Sequence, residues 1–168
     1  GGMFSDADER DGFHPPSQPI ELNTLPASEP PPRIYAELYW VPIPLMSRRL
    51  VAVLRAAGVD NLQVFDTQLI TTHGQSPPPP GHYLAVNIVG LVAAADLKRS
   101  KTNPEVTENL ISMDFHSLSI DPLKAHEALM FRLAENISAV LVHERVKKVI
   151  ESTSINTLTW YEPEAWAG

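Results

Sequence analysis

Alternating apolar and polar side chains recur along the chain and predict a protein rich in β-strands. Residues 34–41 put Leu38 and Trp40 on one face and Tyr39 on the other, which is the period of two of a strand. Residues 83–89 are apolar on both faces and are expected to form a buried central strand. The other predicted strands are residues 62–71, a half-exposed strand at 109–120, residues 129–133, residues 139–142 and a last strand at 158–162.

Two segments show the spacing of an amphipathic helix. The first begins after Ser47, a good N-cap residue, and ends at Gly58, which readily adopts the left-handed backbone that closes a helix. Its apolar positions at helical spacing are Leu50, Val53, Leu54 and Ala57. The second helix covers residues 143–152, and because His143 is a poorer cap than serine, we expect its start to be less firmly defined.

The two predicted helices lie in two segments of similar sequence pattern, residues 46–65 and 142–161, which we call the internal echo. Residues 46–65 align with residues 142–161 without a gap, and the apolar positions of the two segments superpose. Either an ancestral helix-then-strand unit was duplicated, or two amphipathic helices followed by strands share a pattern by chance. Both readings predict that each helix packs on the strand that follows it.

Proline and acidic residues dominate the beginning of the chain. Residues 3–32 hold few large apolar side chains, so burial there cannot offset the loss of chain entropy, and we expect a disordered leader. Gly1 and Gly2 ahead of Met3 are typical of a scar left by tag removal. The expected organisation is therefore a disordered acidic, Pro-rich leader at 1–32 and a single α+β domain at 33–168.

Composition narrows the class of partner. The chain has 168 residues, of which 13 are basic and 20 acidic, giving a formal net charge of −7. This balance argues against coating nucleic acid or a membrane surface, because both are anionic. The acidic start lacks an export signal, the longest apolar stretch (residues 83–95) is too short to cross a bilayer, and cysteine is absent. A cytoplasmic protein is expected.

Signatures of catalysis, cofactor binding and metal binding are missing from the sequence. No internal glycines stand close enough for a phosphate-binding loop, and no serine is bracketed by glycines as in a nucleophile elbow. The six histidines never occur three or four residues apart, the spacing that would put two ligands on one helix face. We therefore expect no enzyme activity, no cofactor and no metal.

Two alternatives stay open on particular residues. Asp114 and His116 project from the same face of a predicted strand and could share a proton, which would make a small hydrolase. The simpler interpretation is that Asp114 and His116 are ordinary polar side chains on the solvated face of a strand. The proline run at residues 77–80 could dock on an aromatic groove, as in a non-catalytic adaptor module, although a stiff surface loop is the more common role of such a run.

Residues 83–100 and 129–151 resemble the immunity-protein family of bacterial polymorphic toxin systems typified by a myxobacterial protein, formerly a domain of unknown function. The shared pattern is a strand ending in Asn87, then Asp96 and Ser100, then Phe131 and Arg132 before an apolar triplet and a helix. The resemblance covers residues 44–160 and leaves the leader outside. One departure is the histidine that caps the second helix, where the family often has serine.

The resemblance implies a protein without catalytic activity that binds a cognate toxin, a nuclease being one possibility, encoded by a nearby gene. Tight binding needs aromatic or arginine anchors in a desolvated patch. The candidates by residue type are Tyr35, Tyr39, Trp160, Tyr161 and Trp166. Most of these are expected to cover the core, so no partner-binding site and no oligomeric state is assigned.

The fold class follows from the predicted elements. Strands interleaved with only two principal helices predict an α+β protein. We expect a mixed, largely antiparallel sheet of about six or seven strands with the two helices packed on one face.

Overall fold

The computed structural model describes residues 16–23, 35–40, 43–70, 78–103 and 113–168. Within these ranges the chain forms ten strands, three α-helices and a 3-10 turn at Pro163–Ala165. The strands are β1 (Ile20–Asn23), β2 (Leu38–Tyr39), β3 (Leu45–Ser47), β4 (Leu62–Ile70), β5 (Tyr83–Ile88), β6 (Leu91–Val92), β7 (Lys101–Thr102), β8 (Phe115–Ser117), β9 (Met130–Leu133) and β10 (Val140–Val142). The helices are α1 (Arg48–Ala56), α2 (Pro122–Ala125) and α3 (Glu144–Glu151).

The largest sheet has five strands in the order β1-β4-β5-β3-β2. Its central strand β5 is buried except at Asn87, because both faces of a central strand are covered by other elements. β5 runs antiparallel to β4, with Leu62 opposite Ile88, and antiparallel to β3, with Leu45 opposite Ala85. The predicted central position of residues 83–88 is confirmed.

A second sheet has three strands in the order β10-β9-β6, and β7 pairs with β8 in a third. β9 lies between two hydrophobic clusters: Met130 belongs to the first, whereas Phe131 and Leu133 belong to the second. Successive side chains of a strand point to opposite faces, so this short sheet divides the core in two. The α+β class with largely antiparallel strands is confirmed, but the strands form three sheets rather than one.

Helices α1 and α3 pack together on the first cluster. Leu50 and Leu54 from α1 meet Val146 and Ile150 from α3, and all four are buried. The hydroxyl of Ser47 accepts a hydrogen bond from the amide of Leu50 at 2.9 Å, the N-cap that the sequence predicts. Gly58 closes α1 with φ of +97°, and a Cβ there would lie 3.2 Å from Leu129 Cδ1.

The start of α3 differs from expectation. His143 acts as its N-cap, with its imidazole Nδ1 accepting a hydrogen bond from the amide of Arg145 at 3.0 Å. A ring nitrogen with a lone pair satisfies a free helix amide as a serine oxygen does. The expectation of a poorly defined helix start was wrong.

Two predicted strands are shorter than their alternation indicates, and a third does not form. Of the described residues 35–40 only Leu38 and Tyr39 join a ladder, and residues 158–162 form no strand. In the stretch 109–120 only β8 is a regular strand, and residues 104–112 lie outside the described ranges. The internal echo therefore holds for the two helices but not for the strands that follow them. Alternation records which side chains face apolar surroundings and does not supply a hydrogen-bonded neighbour.

The N-terminal leader was expected to be disordered, and for part of it this was wrong. Ile20–Asn23 form β1, which pairs in parallel with β4, Ile20 lying opposite Thr67. The side chains of Ile20 and Leu22 pack against a third apolar cluster built on Leu45, Tyr83 and Ala85. Residues 1–15 and 24–34 lie outside the description.

The structure also describes part of the proline run and allows the described helices to be examined as bilayer spans. Pro79 and Pro80 of the proline run are exposed, whereas Pro78 is buried and Pro77 lies outside the described ranges. Among the described helices, none combines the length and the apolar character that a bilayer span requires.

Replacing Ser47 by alanine is expected to lower the free energy of unfolding by about 1–2 kcal/mol, because a buried helix cap and its second hydrogen bond are both lost. Urea unfolding followed by circular dichroism measures the change. The matched control is Ser138→Ala, an exposed serine whose hydroxyl makes no hydrogen bond with a described residue. Equal stability of the two variants would contradict the importance of this cap.

Candidate functional site

A cavity of about 770 Å³ opens between β10, the start of α3 and the C-terminal residues 157–166. We call this cavity the groove. Its floor is apolar and consists of core side chains, among them Met46 of β3, Leu50 and Leu54 of α1 and Ile150 of α3. Core residues therefore line a space that is open to the surface, and an apolar ligand placed there would be desolvated.

Four aromatic side chains line the groove. Trp160 and Trp166 are half-buried, whereas Tyr161 is 67% exposed and Trp40 is 47% exposed. Large exposed aromatics concentrated at one concave site are typical of a contact surface, because they bury much area at little cost in side-chain entropy.

The sequence identified only some of these aromatics. Trp160, Tyr161 and Trp166 are brought together as groove residues, but Tyr35 and Tyr39 lie elsewhere: Tyr39 packs edge-on against Tyr83 with 5.6 Å between ring centroids, and Tyr35 lies near His82. Trp40 was missed, although the alternation had put it on the same face as Leu38, which also lines the groove.

Charges at the groove are largely paired. Lys147 Nζ lies 3.5 Å from a carboxylate oxygen of Glu162 and 6.0 Å from the ring centroid of Trp160. Nζ of the next residue, Lys148, lies 2.7 Å from the carboxylate of Glu144, one turn earlier on α3. The hydrogen bond and positive charge of Lys148 lower the pKa of Glu144, and the same contact raises the pKa of Lys148. Glu144, Lys147 and Glu162 are the charged residues of the groove lining, so its formal charge is −1.

The C-terminal wall of the groove is tied to the rest of the fold through Glu37. Its amide donates a hydrogen bond to Thr157 Oγ1 at 2.9 Å, and its carboxylate accepts one from the hydroxyl of Ser47. Arg49 Nη1 lies 3.6 Å from the same carboxylate, and the guanidinium also donates to the hydroxyl of Ser154. Because the Glu37 side chain is only 14% exposed, these bonds compensate the cost of burying a charge.

Tyr83 holds the segment of the chain that leads into Glu37. Its hydroxyl donates to the carbonyl oxygen of Ala36 at 2.5 Å, one residue before Glu37. Burial, followed by interactions with Tyr39, raises the pKa of Tyr83 well above the ordinary value of a tyrosine. The folded protein therefore keeps this phenol neutral.

The raised pKa of Tyr83 gives a prediction for alkaline pH. The unfolded phenol ionises near pH 10, so the stability contributed by the neutral buried form is complete below that pH and declines as the pH rises above it. Ionisation of Tyr83, followed by its ultraviolet absorbance, is expected to coincide with alkaline unfolding. The Tyr83→Phe variant should lack this component, and a Tyr83 signal that appears while the fold is intact would contradict the assignment.

The structure separates the proposed hydrolytic pair from the groove. His116 is an exposed residue of β8, and the carboxylate of Asp114 accepts a hydrogen bond from Asn103 Nδ2 at 3.3 Å. Neither residue lines the groove. Among the described residues no group of three or more His, Asp or Glu is arranged to hold a metal ion.

Residues that carried the family resemblance have local structural roles. The Asp96 carboxylate accepts hydrogen bonds from the amides of Lys98 and Arg99, which forms a tight turn. Ser100 Oγ accepts a hydrogen bond from the amide of Ser119 at 2.9 Å, and Asn87 Nδ2 donates to Gln63 Oε1 at 2.9 Å. These residues stabilise turns and strand pairs, so a shared pattern at these positions marks the fold rather than a chemical site.

The described surface thus presents a groove that has an apolar floor, four aromatic side chains in its lining and mostly paired charges. Comparison with known families makes the class specific. The model of the Immunity protein family (Imm11) matches residues 3–165, nearly the whole chain, and the chain belongs to this family. The match includes the N-terminal leader, which the sequence resemblance had left outside. No curated protein matches the chain.

Proposed function

We propose that this chain is an immunity protein that neutralises a cognate toxin by tight stoichiometric binding and turns over no substrate. Membership of the immunity protein family supports the class of function. The observation that carries a binding mechanism is the groove, where four aromatic side chains, two of them exposed, line a cavity beside the hydrophobic core. The toxin is the product of a nearby gene, and the two proteins meet in the cytoplasm of the producing cell.

The charge of the chain favours a basic partner. A formal net charge of −7 attracts a basic protein over a distance of about one Debye length, which speeds encounter. A nuclease toxin fits this expectation, since proteins that bind nucleic acid carry basic surfaces. The charges at the groove are already paired with one another, so we expect the aromatic side chains to supply most of the binding free energy there.

The proposed function is tested by co-expression with the toxin from the adjacent gene. Growth rescue and a 1:1 complex in size-exclusion chromatography are expected. The Asp114→Ala/His116→Ala double variant should protect cells as well as the original chain, because binding does not use either residue. Loss of protection in this variant, with the complex still formed, would favour the alternative of a small hydrolase. Absence of both rescue and complex would contradict the proposed function.

The contribution of the groove is tested at Tyr161, its most exposed aromatic side chain. Tyr161→Ala is expected to weaken toxin binding about 10-fold or more, measured by titration calorimetry with a catalytically inactive toxin domain. Leu123→Ala is the matched control, because Leu123 is 85% exposed on α2 and does not line the groove. If both variants bind with the original affinity, the toxin does not use this wall of the groove.

A further inference from the structure

Strand β10 lies at one edge of the second sheet, and no strand of the described residues pairs with its outer side. The amide of His143 donates to the carbonyl of Leu129 at 2.8 Å, and the amide of Leu133 donates to that of Ala139 at 3.0 Å. In an antiparallel ladder the peptide groups that face the partner strand alternate, so residues 139, 141 and 143 bond to β9. The peptide groups of Val140 and Val142 therefore point away from β9, and neither bonds to a described residue on that side.

The outward edge of β10 borders the groove. Val140 and Val142 line it on one side, and residues 157–161, which belong to no helix or strand, line it on the other. No peptide group of residues 157–161 makes a hydrogen bond with another described residue. The groove thus lies between two backbone segments whose donors and acceptors on this side have no partner among the described residues, which is the arrangement that accepts an added strand.

We propose that the groove binds an extended segment of the toxin, which adds to the second sheet as a strand beside β10. This inference rests on the proposed function and specifies how that partner is held. A polypeptide is the occupant that the backbone favours, because the outward amides and carbonyls of Val140 and Val142 need partners with the repeat of a β-strand.

The surroundings of the groove define the character of the segment. Leu50 and Ile150 approach from the first cluster, whereas Leu118 and Trp166 approach from the side of the second. An added strand would then be covered on both faces, so apolar or β-branched side chains are expected at successive positions. The groove lining carries a formal charge of −1 within an acidic protein, which favours a basic residue beside the apolar run.

Amide hydrogen exchange, measured residue by residue by NMR, tests the proposal. The probe is the catalytically inactive toxin domain encoded by the adjacent gene, added in equimolar amount to the full chain. The amides of Val140 and Val142 should exchange at least 10-fold more slowly in the complex than in the free protein, because an added strand accepts their hydrogen bonds. The Leu141 amide, already directed at β9, is the internal reference.

The outcomes separate the two proposals. A complex that forms without protection of Val140 and Val142 overturns strand addition and leaves the proposed function standing. Failure to form a complex overturns the proposed function and, with it, this use of the groove. Protection that is already complete in the free chain also overturns the inference: if it grows with protein concentration a second copy covers the edge, and if it does not, a segment of the same chain does.

Val140→Pro supplies a second measurement. Proline removes the outward amide of residue 140 while the hydrogen bonds to β9 remain, and an edge strand tolerates this change. Binding of the toxin domain should weaken about 10-fold relative to Val140→Thr, a β-branched control that keeps the amide. Equal affinities of the two folded variants would overturn the inference. If Val140→Pro does not fold by circular dichroism, hydrogen exchange on the unmodified chain decides the question.

Discussion

The bond between Ser47 and Glu37 is the constraint on which the rest of the structure depends. The serine hydroxyl caps α1 through the amide of Leu50 and at the same time donates to the Glu37 carboxylate. Glu37 in turn holds Thr157 and pairs with Arg49. One buried polar network therefore fixes the start of a helix, the end of a sheet and the wall of the groove. Because Ser47 and the Glu37 carboxylate at its centre are largely shielded from water, losing one of them leaves the other without a partner in a place where water does not replace it.

The position of the groove follows from the division of the core. β9 and β10 lie between two hydrophobic clusters, with Met130 on one side and Phe131 on the other. A sheet of three short strands cannot close on itself, so the outer sides of its edge strands β10 and β6 have no ladder partner within the sheet. At β10 the chain brings residues 157–161 close without pairing them, and the space left over is lined by side chains of both clusters. The same packing that forms the core thereby creates an open apolar site.

A protein that acts by binding needs a surface of complementary shape and does not need chemically reactive side chains. The aromatic side chains Trp40, Trp160, Tyr161 and Trp166 belong to two separate parts of the chain and meet only in the folded state. Family-like residues such as Asp96 and Ser100 hold turns, which explains why a recognisable pattern contains no chemical signature. Membership of the immunity protein family gives the class of function, and the groove is the surface that we propose for the contact with the toxin.

Local periodicity by itself determined both principal helices, the central strand β5 and the α+β class, because these depend on which side chains face the core. The sequence also offered Trp160, Tyr161 and Trp166 as candidate contact residues, but on the basis of residue type and not of periodicity. Only the tertiary structure decided that residues 158–162 join no strand of the described fold, that Ile20–Asn23 join the sheet, and that Trp40 reaches the groove. The physical reason is that hydrogen bonds between strands join residues far apart in the chain. Alternation specifies a face for each side chain, whereas the partner of each peptide group is decided when the whole chain packs.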